Sequence, residues 1–211
     1  MKKFFTVISL QGKKDLELTH YKCEENKSLD FGDDVVTRFP ITLTIRASVK
    51  KREKIEIFPI IVDNGEGTTT QNYEFFKSEI AKLSEEKGFT YTMTEIRKGI
   101  NDTTDEMIKL FLSLIKHVGN KDKLFACITY GTKPMSVVTI MALHYAYKVK
   151  SNVSIENIVY GLNNWNIEGH PAFIHDVTPL FYIDSAVDSL ASMKLKDPEK
   201  ALRLILDEEG N

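Results

Sequence analysis

Pro40-Ile41-Thr42-Leu43-Thr44-Ile45-Arg46-Ala47-Ser48-Val49-Lys50, followed by Ile55-Glu56-Ile57-Phe58-Pro59-Ile60-Ile61-Val62, is the stretch on which the fold turns. Two readings of its first half compete. Ile41, Leu43, Ile45, Ala47 and Val49 alternate with other residues at period two, a strand pattern, while Pro40 suits the first turn of a helix. The second half is a nearly continuous apolar run stopped by Asp63-Asn64-Gly65, as in a strand buried on both faces of a parallel sheet. Parallel strands need a crossover between them, so residues 40–50 read as helix in spite of their alternation.

Upstream, Phe4 to Leu10 is a β-rich run ending at Gln11-Gly12, and Leu16 to Cys23 alternates enough to be its edge hairpin partner. Downstream the alternation of element types is regular. Gln71 to Lys87 has one apolar face (Tyr73, Phe76, Ile80, Leu83) and Gly88 as its C-cap, and Phe89 to Ile96 reads as a strand. Thr103-Thr104-Asp105-Glu106 is a capping box opening a helix over Met107 to Val118. Leu124 to Thr129 is a buried strand, Pro134 to Val149 a helix, and Ile155 to Tyr160 and Phe173 to Val177 are strands. Pro179 to Met193 is a helix, and Asp197-Pro198 starts a last one to Asp207. Strand and helix alternating over most of the chain define an α/β fold with a Rossmann-like, doubly wound, mostly parallel sheet and helices on both faces.

The 211 residues are enough for one domain with a real core, and 42% hydrophobic with 27% charged residues excludes a disordered chain, a collagen-like repeat and a coiled-coil rod. Twenty-eight Lys and Arg against 30 Asp and Glu leave a formal charge of −2. No global positive field is present to hold genomic nucleic acid or a membrane surface, so any anion site must be local. Met1-Lys2-Lys3 before Phe4 to Leu10 has a faint signal-peptide look but lacks a small-residue cleavage site, and no apolar run reaches the ~18 residues of a transmembrane helix. Cys23 and Cys127 lie far apart in sequence, Cys127 within an apolar run, which fits a reducing cytoplasm.

In such sheets ligands bind beyond the carboxyl ends of the strands, so the residues just after each strand are the candidates. These are Ser9-Leu10-Gln11-Gly12, Asp63-Asn64, Tyr130-Gly131-Thr132-Lys133-Pro134 and Gly161-Leu162-Asn163-Asn164-Trp165. The third is the strongest signal. Gly131 permits a tight turn, Thr132 and Lys133 supply a hydroxyl and a cation, and Pro134 opens a helix whose free N–H groups and dipole face the same spot. The combination suits a phosphate, and a plain strand-to-helix turn with a solvated lysine reads equally well from spacing. Gly12 with Lys13 and Lys14 is a second possible anion site. Asn163, Asn164 and Trp165 could bond to a base edge and stack on its face. The five histidines show no metal-ligand spacing, Gly65-Glu66-Gly67 lacks the third glycine of a dinucleotide fingerprint, and neither a nucleophile elbow nor a phosphate-loop motif is present. Neither a metal nor a resident cofactor is expected.

The run Ile128-Thr129-Tyr130-Gly131-Thr132-Lys133-Pro134-Met135, with Ile158-Val159-Tyr160-Gly161 and Ile174-His175-Asp176-Val177-Thr178-Pro179-Leu180 downstream, resembles the CRISPR-associated Rossmann-fold (CARF) domains. Val7-Ile8-Ser9-Leu10-Gln11-Gly12 and Val36-Thr37-Arg38-Phe39-Pro40 also fit, and the likeness covers residues 4 to 193. The resemblance implies a homodimeric sensor of cyclic oligoadenylates, a tetra- or hexa-adenylate ring, in type III CRISPR antiviral defence. On that resemblance Thr132 and Lys133 contact ring phosphates, and the Ser9, Gln11 and Gly12 turn contacts ribose or backbone. The helix after Lys133 lines the ligand floor and part of the dimer interface. Some relatives cleave the ring without metal, through attack of a ribose 2′-hydroxyl on the adjacent phosphate, and for that step Lys133 and Ser9 are the candidate catalytic residues. Residues 1–193 form the expected ligand-sensing domain and 194–211 a helical tail, either of a stand-alone protein or as connector to an effector. A Rossmann-like domain for another nucleotide or phosphorylated ligand is the reading free of the resemblance.

Overall fold

A computed structural model describes residues 1–12, 16–23, 26, 29–32, 35–63, 65, 67–163 and 171–208, with backbone alone for 207 and 208. In chain order the elements are β1 (Lys2–Val7), β2 (Thr19–Lys22), β3 (Val36–Thr37), α1 (Ile41–Ser48), β4 (Lys54–Asp63), α2 (Thr68–Lys87), β5 (Thr90–Met93) and β6 (Ile96–Gly99). They continue with α3 (Thr104–Ile115), β7 (Lys123–Cys127), α4 (Lys133–Val149), β8 (Ser154–Asn163), β9 (Ala172–Asp176), α5 (Thr178–Met193) and α6 (Pro198–Glu208). The chain divides into two compact units, Met1–Asp176 and Val177–Asn211; the first holds the sheet and α1 to α4, the second α5 and α6.

The nine strands form one mixed, mostly parallel sheet in the order β3-β2-β9-β8-β7-β1-β4-β5, with β6 also on β4. The architecture is the Rossmann-like α/β sheet that the pattern of elements implies. β1 lies at its centre, parallel to β4 on one side and β7 on the other. Helices α1 and α2 cover one face, where Phe4, Ile57, Phe125, Cys127 and Val159 meet Ile41, Leu43, Ile45, Phe76 and Ile80 in one buried cluster. The alternate residues of the same strands point the other way, as the period-two geometry of a strand requires. There Phe5 lies with Leu114 of α3 and Leu143 of α4.

The 40–50 stretch is helical. Ile41 to Ile45 are five consecutive buried residues, so the threonines between the aliphatics are inside as well. The Thr42 hydroxyl is accommodated locally, donating to Phe39 O at 2.9 Å and lying 2.8 Å from Thr37 Oγ1, whereas the buried Thr44 hydroxyl has no hydrogen-bond partner among the described residues. Alternation here marks two kinds of buried contact rather than two faces of a strand.

Three expectations are corrected. Leu16 to Cys23 does contain a strand, but β2 pairs in parallel with β9 and antiparallel with β3, far from β1, so it is no hairpin partner of the first strand. The strand foreseen over Phe89 to Ile96 is two, β5 and β6, both on β4 in one register (Ile57 opposite Met93, Ile60 opposite Ile96). The break has a chemical cause. Thr94 N donates to Ile57 O and Ile8 N to Ile60 O, so odd-numbered residues of β4 face the edge and even-numbered ones face β1. Pro59 faces the edge and has no N–H to give, and the ladder lapses opposite it. Finally, the regular part of β1 stops at Val7, so Ser9 to Gly12 form a turn beyond the strand.

Thr103 caps α3, its Oγ1 accepting from Glu106 N at 3.4 Å, while the Glu106 carboxylate takes Lys109 Nζ at 2.7 Å, so one half of the expected capping box is seen; Gly88 closes α2 with φ of 68°. Among the described residues no helix is long and apolar enough to cross a membrane.

At the amino end of the sheet, His117 lies against Phe58 with ring centroids 4.7 Å apart, and its carbonyl accepts from Lys3 Nζ at 2.6 Å. Burial, then the charges of Lys116 and Lys3, hold its imidazole below the ordinary histidine value. A histidine depressed in the folded state binds its proton more readily when unfolded, so stability is lost as pH falls below about 6.5. Urea midpoints compared at pH 7.5 and pH 5 should drop more for the wild type than for His117→Phe; equal drops would rule His117 out as the titrating group.

Candidate functional site

The site is set by topology. The connections from β1 and β4 lead to α1 and α2 on one face, whereas β7 leads into α4 on the other, so the chain parts between β1 and β7. A crevice at the carboxyl ends of strands at such a reversal is where doubly wound sheets take ligands. The turns that flank it are Ser9–Gly12 and Tyr130–Lys133.

Gly131 joins them closely. Its φ is +93°, and a Cβ there would lie 3.0 and 3.2 Å from the methyl groups of Val7 and 3.3 Å from Met135 Sδ. Only glycine fits this conformation and this contact with β1. Thr132 is the extended N-cap of α4 and makes no side-chain cap bond. The supply of free N–H groups at this helix start is smaller than expected, because Met135 N and Ser136 N both donate to Thr132 O, at 3.0 and 3.2 Å, and Pro134 has none. What remains for an anion is the Lys133 N–H and the Lys133 ammonium, which is exposed and has no ion-pair partner among the described residues. Asp102 stands beside the Thr132 hydroxyl. The Lys98 ammonium 2.9 Å away and then that hydroxyl hold its carboxyl below the usual range. Lys98 is itself buried, and it also donates to Gly99 O and Asn101 O at 2.8 and 2.9 Å, tying the loop before α3 beneath the site.

On the other side of the crevice Ser9 is fully buried, with its hydroxyl accepting from Gln11 N at 3.1 Å. Gln11 and Gly12 are exposed. Beside them opens a cleft of about 190 Å³, whose lining includes Gln11, Tyr130 and Asn163 together with Tyr21, Tyr160 and Glu17. Gly131, Thr132, Lys133 and Pro134 are not in its lining, so the candidate residues fall into a glycine-lysine turn and a separate aromatic and amide cleft. The cleft owes its floor to Gly161. Its N–H donates to Thr129 Oγ1 at 2.8 Å, and a Cβ there would lie 2.6 Å from Pro40 Cγ. Asn163 Oδ1 is buried and accepts no hydrogen bond among the described residues.

Tyr130 Oη donates to Arg38 O at 2.7 Å and interacts with the Tyr21 hydroxyl. Burial, then the neighbouring Tyr21, pushes Tyr130 far up, and burial pushes Tyr21 up to about 12. The Cys127 thiol, fully enclosed, is raised as well. None of the three is set to ionise near neutrality; Tyr130 and Tyr21 give the cleft hydroxyls and packing surface rather than bases, and the buried Cys127 is not in its lining. Asn64, Asn164 and Trp165, with Lys13 and Lys14, lie outside the described residues. Among the described residues no group of three or more His, Cys, Asp or Glu is placed to hold a metal ion.

Tyr21, Glu17 and Asn72 are the members that sequence reading misses. Tyr21 and Glu17 reach the cleft only because β2 pairs with β9, which no local pattern announces. Asn72 sits in the second turn of α2 and reads as one polar residue of an amphipathic stretch. In the structure its Nδ2 donates to Ser9 O and Gln11 O at 2.8 and 2.9 Å.

No protein-family model matches the chain. No curated protein aligns with it at a significant level.

Proposed function

We propose that the protein binds a cyclic oligoadenylate as a homodimeric CARF-type sensor of type III CRISPR defence. The observation that carries this reading is the placement of Gly131-Thr132-Lys133 beside the Ser9–Gly12 turn at the reversal point of the sheet, with an aromatic and amide cleft next to it. A phosphate at Lys133 and a base in the cleft are the two halves of a nucleotide, and a two-fold axis would double them around one symmetric ring. Ring cleavage finds less support than binding. Ser9, one of the two catalytic candidates, has its hydroxyl buried and engaged in its own turn. Lys133, the other, is an exposed ammonium suited to stabilising phosphate charge.

An apolar surface beside the site fits the dimer. Ile108 and Leu112 on α3 and Val137 and Met141 on α4 are each more than half exposed, four residues apart on neighbouring helices. Phe111 and Tyr145 meet edge to face at 6.0 Å where the two helices touch. A second copy burying this face would remove apolar area from water and set the two Lys133 turns on one axis. The double substitution Val137→Glu with Met141→Glu should yield a monomer in light scattering while the fold is kept; a wild type that is already monomeric at micromolar concentration would count against the dimer. The function itself is tested by titrating rings of three to six adenylates into the chain in EDTA, with product analysis. Binding of one ring size with high affinity is expected, and binding of mononucleotides alone would favour the reading of a simple nucleotide domain.

A further inference from the structure

We infer that Asn72 is a positioning residue that gives the turn after β1 its anion-facing polarity. Ile8 N makes the last ladder bond of β1, to Ile60 O, and beyond it the backbone groups of the turn must find partners elsewhere. Their carbonyl oxygens are taken up almost entirely by the protein. Asn72 uses both amide hydrogens on Ser9 O and Gln11 O, and Leu16 N donates to Gly12 O at 3.1 Å. The N–H groups are treated differently. Gln11 N is held by Ser9 Oγ, whereas the N–H groups of Leu10 and Gly12 have no partner among the described residues. A turn whose acceptors are consumed and whose donors are left over presents positive partial charge, which attracts an anion and repels a cation.

Asn72 suits this role in two respects. It is fully buried in α2, so its amide is held by packing and cannot swing away. Its Oδ1 accepts no hydrogen bond among the described residues, a buried acceptor that an apolar residue would spare the fold. Retaining an amide there serves the two bonds to the turn. Thr69, one turn earlier and equally buried, also has an unpartnered hydroxyl but makes no bond to the turn, and it provides a control.

This inference rests on the proposed reading that the Ser9–Gly12 turn faces a phosphate-bearing ligand. Its test uses the full chain with Asn72→Leu, Asn72→Asp and Thr69→Val, each checked for fold by circular dichroism and thermal melting, and titrated with cyclic tetra- and hexa-adenylate. Either Asn72 substitution should weaken ring binding by about tenfold or more, as loss of two buried hydrogen bonds around the site implies. Thr69→Val should bind as the wild type does. Hydrogen exchange of the wild type adds a readout that needs no variant: the Leu10 and Gly12 amides should become protected when ring is added. A folded Asn72→Leu that binds the ring at wild-type affinity, or ring binding without protection of those amides, overturns the role of Asn72 while leaving the proposed function in place. A wild type that binds neither ring overturns both.

Discussion

Gly161→Ala should destabilise the protein by about 3 kcal/mol, at the upper end of what overpacking a core position costs. The added methyl would lie 2.6 Å from Pro40 Cγ and 3.2 Å from Pro40 Cβ, closer than any relaxed carbon pair. Escape routes are few. The proline ring is rigid and stands at the start of α1, which packs its buried Ile41 and Leu43 into the core, so Pro40 cannot yield without moving the helix. Gly161 for its part is held in β8 between β7 and β9, and its N–H is bound to Thr129 Oγ1 at 2.8 Å, with that oxygen 3.3 Å from the new methyl. Strand and helix are thus pressed together at one glycine beneath the cleft. Urea denaturation measures the loss; a change under 1 kcal/mol would mean that α1 is less firmly seated than its burial implies.

Lys133→Ala should weaken ring binding by about 1.5–3 kcal/mol for each lysine removed, or roughly ten- to 150-fold, with little effect on stability. The small effect on stability follows from the exposure of the side chain and its lack of an ion-pair partner among the described residues. The large effect on binding follows from how little else the turn offers. Met135 N and Ser136 N are spent on Thr132 O, so the ammonium carries more of the anion's charge than it would at a helix start with four free N–H groups. In a dimer the substitution removes two such charges. Lys133→Arg should retain most of the affinity, and an alanine variant that binds as tightly as the wild type would remove Lys133 from the site.

How far the sequence could be read depended on whether the deciding interaction was local. The helix over 40–50 was recoverable because the apolar run Ile55 to Val62 demanded a crossover, and the start of α3 because the Thr103 hydroxyl caps the Glu106 N–H three residues on. Pro59 was equally visible, but its consequence depends on which neighbour its missing N–H faces, and that is fixed by the pairing of β4 with β1. The split of β5 from β6 therefore could not be foreseen. The same distinction runs through the site. Tyr130-Gly131-Thr132-Lys133-Pro134 announces a tight turn into a helix, and the left-handed Gly131 is found there. The burial of Ser9, the shared cleft of Gln11, Tyr21 and Asn163, and the bonds from Asn72 to a turn some sixty residues earlier arise from chain crossings that leave no mark in local sequence.

On the proposed function, two copies of the Gly131-Thr132-Lys133 turn hold one cyclic polyanion. Isothermal titration calorimetry with cyclic oligoadenylates of three to six units, performed in EDTA, addresses it directly through affinity and stoichiometry together. The expected result is tight binding of one ring size at one ring per two chains, weakening as salt is raised. Absence of heat with every ring, or saturation at one mononucleotide per chain, would contradict it.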